Sequence, residues 1–355
     1  MADLAALKPF SLPQAPARVS TAAPKFSIIV PTRNRPGPLR IALGAIARQT
    51  YSDFEVIVLD DGSDAECRAQ YADLWDSLDD RFSLKLVSPD GSPGIGPSLA
   101  RNLAISQARG ELVAFCDDDD DWCAADHLAV AAEAFSEVPD ADIFYANQIA
   151  FRDDKVINTE RWPKLRRWLH KAPRVGSYDV CRLPRRAFLR SGGVAHLNIS
   201  IVRRSLVNEI NGFWNHLRFE EDFDFYLRSI DRARAILYRP SIVARHLAPM
   251  PKNRGNASTA LDVTERCLAQ CMACEHIRVK VQSREVMMLA RATQGYALRR
   301  LALALHQSSQ HTAAFTAGIQ AMAILPSLRW SVFMLYLGLR QVFAPSVQPA
   351  PPYTR

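Results

Sequence analysis

Five consecutive aspartates, Asp117 to Asp121, stand between Phe115–Cys116 and Trp122. Adjacent carboxylates repel one another, and burial raises their pKa values. Such a run is therefore either a solvated turn or a place where a hard cation removes both penalties. Mg²⁺ and Mn²⁺ take oxygen ligands, and Mg²⁺ is held by one or two carboxylates plus phosphate oxygens. Five carboxylates in one tight turn cannot all reach one ion, so the remainder bind sugar hydroxyls or face water. A second acidic cluster, FEEDFDFYLR at 219–228, spaces Phe219, Phe223 and Tyr226 along one helical face. Asp222 precedes that face by one residue. It either points into a cleft or belongs to an acidic first turn of the kind the helix dipole favours. His246 follows AILYRPSIVAR and precedes the polar and basic PMPKNRGNAS; it is read as a structural histidine or as a metal or diphosphate contact.

The elements that must position these groups follow an alternating order. FSIIV (26–30) is a short β-branched strand ending at Pro31, and TRNRPGP is a turn. LRIALGAIARQ has helical spacing at 39, 43 and 46. FEVIVL (54–59) is a second strand, ended by Asp60, Asp61, Gly62 and Ser63. Leu84 to Val87 reads as a third strand, Gly91 to Pro97 as a loop, and Ser98 to Arg109 as a helix capped by Ser98. ELVAFC is a further strand with the aspartates at its carboxyl end. Strand, helix, strand, loop, helix, strand is the order of an open α/β sheet, whose ligands sit beyond the carboxyl ends of the strands. Thr32–Arg33, Asp60–Asp61 and Asp117–Asp121 all lie at such ends. No GxGxxG or GxxxxGK[ST] is present, and GSPGIGPS (91–98), with its rigid prolines, is a poor phosphate cradle.

The chain has 355 residues and a net charge of +7, enough for a sizeable core and two domains. Residues 1–24, with prolines at 9, 13, 16 and 24, form a flexible lead-in without the apolar run of a signal peptide. Seven cysteines in no regular framework fit a reducing, cytoplasmic setting. A catalytic domain is expected over 25–257 and a helical, Ala- and Leu-rich region over 258–355. In that region two helices flank HQSSQH, and Cys267, Cys271 and Cys274 share a helix face as buried small residues rather than metal ligands. The basic segment 161–190 is a solvated face or a contact for an anionic acceptor or lipid surface; it matches no nucleic-acid fold, so no nucleic-acid partner is expected. The apolar stretch 328–343 docks on the core, forms a homo-oligomer interface or lies peripherally on a membrane.

FSIIVPTRNRP, VLDDGSD, ARNLAISQARGELVAFCDDDDDW, HLNISIVRRSLVNEINGFW and EEDFDFYLR occur in that order between about residues 25 and 250. Together they resemble the inverting glycosyltransferases of family 2, which have the GT-A fold: an open, twisted, mostly parallel sheet flanked by helices. The resemblance implies a nucleotide-sugar donor, usually a UDP-sugar, and a glycan or lipid-linked acceptor. It implies that Pro31, Thr32 and Arg33 line the nucleotide pocket and that Asp61 hydrogen-bonds the base. Arg101 and Asn102 lie near the nucleotide or diphosphate. Counting from Gly110 matches Asp117 and Asp119 to the metal motif, with Asp119 the main ligand of Mn²⁺ or Mg²⁺, Asp118 beside the donor, and His246 near metal and diphosphate. Asp222 is the catalytic base. Counting back from Leu128 shifts the aspartates by one, which a one-residue insertion near 121–126 explains. Residues 177–198, with HLN at 196–198, and 213–222 shape the sugar and acceptor sites.

On this reading the acceptor oxygen attacks opposite the leaving diphosphate while Asp222 takes its proton, and one displacement gives inversion. A nucleotidyltransferase would want a lysine in the first loop, which VPTRNRPGP lacks. A glycan- or protein-binding module would leave Asp119, Asp222 and His246 unused.

Overall fold

The computed structural model describes residues 10–11, 23–87, 93–152, 155–248 and 261–343. They divide into two compact units, one within Met1–Ala260 and Lys280–Val286, the other within Leu261–Val279 and Met287–Arg355. The loop expected after His246 and the domain boundary at 257–258 lie outside the described residues.

The first unit is built on one sheet. In chain order its strands are β1 (Phe10–Ser11), β2 (Phe26–Thr32), β3 (Phe54–Asp60), β4 (Phe82–Leu86), β5 (Leu112–Phe115), β6 (Asp120–Trp122), β7 (Ala141–Arg152), β8 (Lys155–Asn158), β9 (Arg174–Val175), β10 (Val180–Leu183), β11 (Ser200–Arg203) and β12 (Ala235–Leu247). Their order across the sheet is β1-β4-β3-β2-β5-β11-β7-β12-β10-β9, with β6 on β12 and β8 on β7. β4-β3-β2-β5 is parallel. β11 then runs antiparallel to both β5 and β7, so the sheet as a whole is mixed. Phe26, Ile28, Ile29 and Val30 of β2 are fully buried, as a parallel strand covered on both faces requires.

Helices α1 (Pro36–Ala47), α2 (Ala65–Trp75), α3 (Pro97–Gln107), α4 (His127–Glu137), α5 (Arg166–Leu169), α6 (Arg185–Leu189), α7 (Arg204–Glu209) and α8 (Glu221–Arg232) accompany the sheet. α1 buries Leu39, Leu43 and Ile46, the residues its spacing marked. It starts earlier than expected because Pro36 suits a first helical position. α3 likewise starts at Pro97, after Gly96. Ser98 does not cap it; its hydroxyl donates to the Leu217 carbonyl at 2.6 Å. Two residues of the lead-in, Phe10–Ser11, pair with β4.

The second unit comprises α9 (Val263–Lys280), α10 (Arg284–Gln307), α11 (His311–Ile324) and α12 (Leu328–Phe343), apart from the residues assigned to the first. Its core gathers Cys267, Leu298, Leu301, Ala321, Trp330 and Met334. Cys274 is also buried. No helix among the described residues is long and apolar enough to cross a membrane.

Candidate active site

The chain leaves β2 for β3 and β4 on one side and returns to β5 on the other. The crevice at the carboxyl ends of β2 and β5 is thus the topological switch point where ligands bind in open sheets. A hydrogen bond spans it: Thr32 Oγ1 donates to Asp118 Oδ2 at 2.8 Å. Arg35 Nη1 reaches the same turn, at 3.1 Å from Asp118 Oδ1 and 2.6 Å from Asp119 Oδ2.

The five aspartates divide by position. Asp118 and Asp120 are buried, at 6% and 3% exposure, while Asp117, Asp119 and Asp121 are half-buried. Burial pushes the Asp118 carboxyl up to about 7 despite Arg35. Asp120 lies in β6, opposite His246 of β12 in the strand register. Its Oδ1 is 2.9 Å from His246 Nδ1. Burial raises Asp120 and opposes the charging of His246, but the Asp120, Asp119 and Asp117 carboxylates together raise His246. The His196 ring meets the His246 ring edge-on, centroids 4.3 Å apart. Burial, then the neighbouring His246 and Arg161 charges, push His196 well below the usual imidazole range.

Arg101 of α3 ties the run to the second acidic cluster. At 5% exposure it donates to Asp117 Oδ1 at 2.7 Å and to Glu221 Oε1 at 3.1 Å. Asp222 follows Glu221 in the first turn of α8, and its Oδ1 accepts the Phe223 amide at 2.7 Å. Glu220 enters that turn in the left-handed region, with φ 65°, a conformation that costs energy for a residue with a Cβ and concentrates at functional sites. Burial raises the Asp222 carboxyl, opposed by the Phe223 amide and by Arg101 and Arg161.

Asp61 lies at the end of β3. Its oxygens accept the Ile95 and Gly96 amides at 2.7 and 2.9 Å. The glycine loop therefore cradles an anion, but one belonging to the protein. Gly94 has φ +74°, and a Cβ there would stand 2.8 Å from Asp61 Oδ2 and 2.5 Å from Arg33 Nη1. Arg33 donates to the Pro93 carbonyl on the same loop at 2.5 Å. Pro31 is half-buried in β2. The Asn102 side chain is occupied in holding the 212–215 turn: it donates to the Phe213 carbonyl at 2.7 Å and accepts the Phe213 amide at 2.9 Å.

The structure forms two hydrogen-bonded groups: Thr32, Arg35, Asp118 and Asp119 around the turn, and Asp117, Arg101 and Glu221 reaching the first turn of α8, where Asp222 follows Glu221. His246 meets the run at Asp120. Sequence reasoning had assigned no role to Arg35, Asp120 or Glu221. Arg35 carried no signal beyond a basic residue in the first turn. Among the described residues no three His, Cys, Asp or Glu side chains form a group able to hold a metal ion. The half-exposed Asp117 and Asp119 carboxylates nevertheless fit a hard cation that takes few protein ligands.

The family model "Glycosyl transferase family 2" matches residues 27–210. A PGL/p-HBAD biosynthesis glycosyltransferase of Mycobacterium bovis is 28% identical over 226 residues, 64% of this chain and 75% of that one. A GalNAc(5)-diNAcBac-PP-undecaprenol beta-1,3-glucosyltransferase of Campylobacter jejuni is 39% identical over 98 residues, 28% of this chain and 30% of that one. The fold is similar to that of S. aureus TarS 1-349 in complex with UDP-GlcNAc, with a TM-score of 0.60 at 18% identity over 90% of this chain and 88% of that one. With the matched segment running from β2 through α7 and carrying the aspartate run, the chain is a glycosyltransferase and belongs to glycosyl transferase family 2.

Proposed function

We propose that the protein transfers a sugar from a nucleotide-diphosphate donor, of the UDP type, to a hydroxyl of a glycan or lipid-linked acceptor, with inversion. The observation that carries this reading is the Arg101 bridge, which holds Asp117 and the Asp222-bearing turn on one guanidinium. Leaving-group side and acceptor side thereby share one frame. Asp61, steadied by two loop amides, faces the base, and Pro31, Thr32 and Arg33 border the nucleotide. Asp119 and Asp117 are assigned to a Mn²⁺ or Mg²⁺ ion, with His246 adjoining through Asp120. Such an ion, when bound, neutralises charge on the departing diphosphate. Asp222 receives the acceptor proton. A carboxyl raised by burial is a stronger base than an exposed one, which suits that task.

A screen of nucleotide-sugars with Mn²⁺ or Mg²⁺, read by donor hydrolysis, tests the donor and metal assignments together. Asp222→Asn should keep donor affinity and lower transfer roughly 10²–10⁴-fold, the range expected for loss of a general base. Unchanged turnover would remove Asp222 from the role.

A further inference from the structure

The second unit has no part in the chemistry above, yet its composition is one-sided. Glu285 is the last acidic residue of the chain. From Val286 to Arg355 there are six arginines (291, 299, 300, 329, 340 and 355), no lysine and no Asp or Glu. Nearly all of the formal +7 charge therefore resides in the last fifth of the sequence.

α12 has two apolar sides. Trp330, Met334 and Leu337 turn into the core at 8%, 5% and 1% exposure. Leu328, Val332, Leu335, Tyr336 and Leu339 are 85%, 65%, 66%, 44% and 52% exposed. They recur at helical spacing, beside the exposed Arg329. A contiguous apolar stripe of this kind marks an interaction surface.

Charge selects the occupant. A second copy would set one net-positive unit against another, each with eight arginines and three acidic side chains (Asp262, Glu265 and Glu275). A phosphate backbone would meet the arginines but leave the aliphatic stripe in water. A bilayer with anionic headgroups satisfies both: the leucines enter the headgroup–acyl boundary while Arg329, exposed beside the stripe, stays at the charged surface. We propose that the outer face of α12 seats the protein peripherally on an anionic lipid surface. This inference is independent of the transferase reading, because its test measures binding alone.

The full chain is sedimented with vesicles of phosphatidylcholine, with or without phosphatidylglycerol. It should sediment with the anionic vesicles, roughly tenfold more weakly with neutral ones, and less as salt rises. Val332→Glu with Leu335→Glu should lower partition at least about tenfold, since charge on the inserted face opposes burial. Both positions face outward, so circular dichroism and Tm should stay as in the parent. Arg329→Glu, which leaves the apolar stripe intact, should weaken only anionic-vesicle binding. Absence of sedimentation with phosphatidylglycerol, or sedimentation unchanged in both variants, overturns the proposal. So does a concentration-dependent dimer in lipid-free sedimentation equilibrium that Val332→Glu with Leu335→Glu abolishes, since a second copy would then cover the face.

Discussion

His127 opens α4 fully buried, its ring 4.9 Å from Trp122 and 5.9 Å from Phe144, centroid to centroid. Neither ring nitrogen has a hydrogen-bond partner among the described residues. Burial pushes its pKa down to about 3, with the Arg239 charge adding to the effect. Below the unfolded-state value near 6.5 the unfolded chain binds a proton that the folded chain refuses, so stability falls as pH falls through that window. By pH 5 the loss from this one group is about 2 kcal/mol. His127→Phe should remove it: denaturant melts of the parent and variant should diverge between about pH 6.5 and pH 4, the variant losing less. Parallel profiles would mean that His127 titrates alike in both states. Asp118 and Asp120 show the other side of burial at residue scale. Nothing in five identical letters tells them from their neighbours; the turn that sets Asp118 against Thr32 and Arg35, and the pairing of Asp120 in β6 with β12, do.

At the scale of elements, β2, β3 and β5 were legible because each carries a short apolar run, IIV, VIVL and LVAF. β6 was not, because two of its three residues are aspartates, held in the sheet only by pairing with β12, more than a hundred residues away. α2 was missed for a related reason: it buries only Tyr71 and Leu74, and its clearest mark is the Asp64 cap accepting the Cys67 amide at 2.9 Å. The link between α3, the turn after β5 and α8 was beyond sequence reasoning altogether. Arg101 is 16 residues from Asp117 and 120 from Glu221. Its guanidinium also lies 5.5 Å from the Phe213 ring. Arg101→Met keeps much of the apolar stem and removes the charge, leaving two carboxylates unpaired. Breaking a buried pair from one side costs about 3–5 kcal/mol. Urea unfolding of the variant should show that loss, and transfer should fall further than donor affinity, because Asp222 loses the neighbour that places its turn. A variant as stable as the parent would make the bridge a surface contact.

At the scale of the whole molecule, the composition shift near residue 258 suggests a single change of domain, whereas Lys280–Val286 clusters with the first unit. The reason lies in two amides. Gln282 and Ser283 donate to Asp231 Oδ2 and Oδ1, each at 2.8 Å. The Asp231 carboxylate is almost inaccessible, at 1% side-chain exposure, at the end of α8. Neither amide is visible as a signal in the sequence, since every residue has one. Hydrogen bonds to a charged acceptor contribute about 1.5–3 kcal/mol each. Asp231→Ala removes both acceptor atoms and strands the two donors, so a loss on the order of 3 kcal/mol is expected. For a unit of this size that lowers Tm by roughly 6–12 °C. Amide exchange gives the sharper readout. In the parent, the Gln282 and Ser283 amides should exchange only when the first unit opens, whereas in Asp231→Ala they should exchange through local opening while the β2 amides remain protected. Equal exchange at 282 and 283 in both proteins would show that the segment is held by something other than this carboxylate.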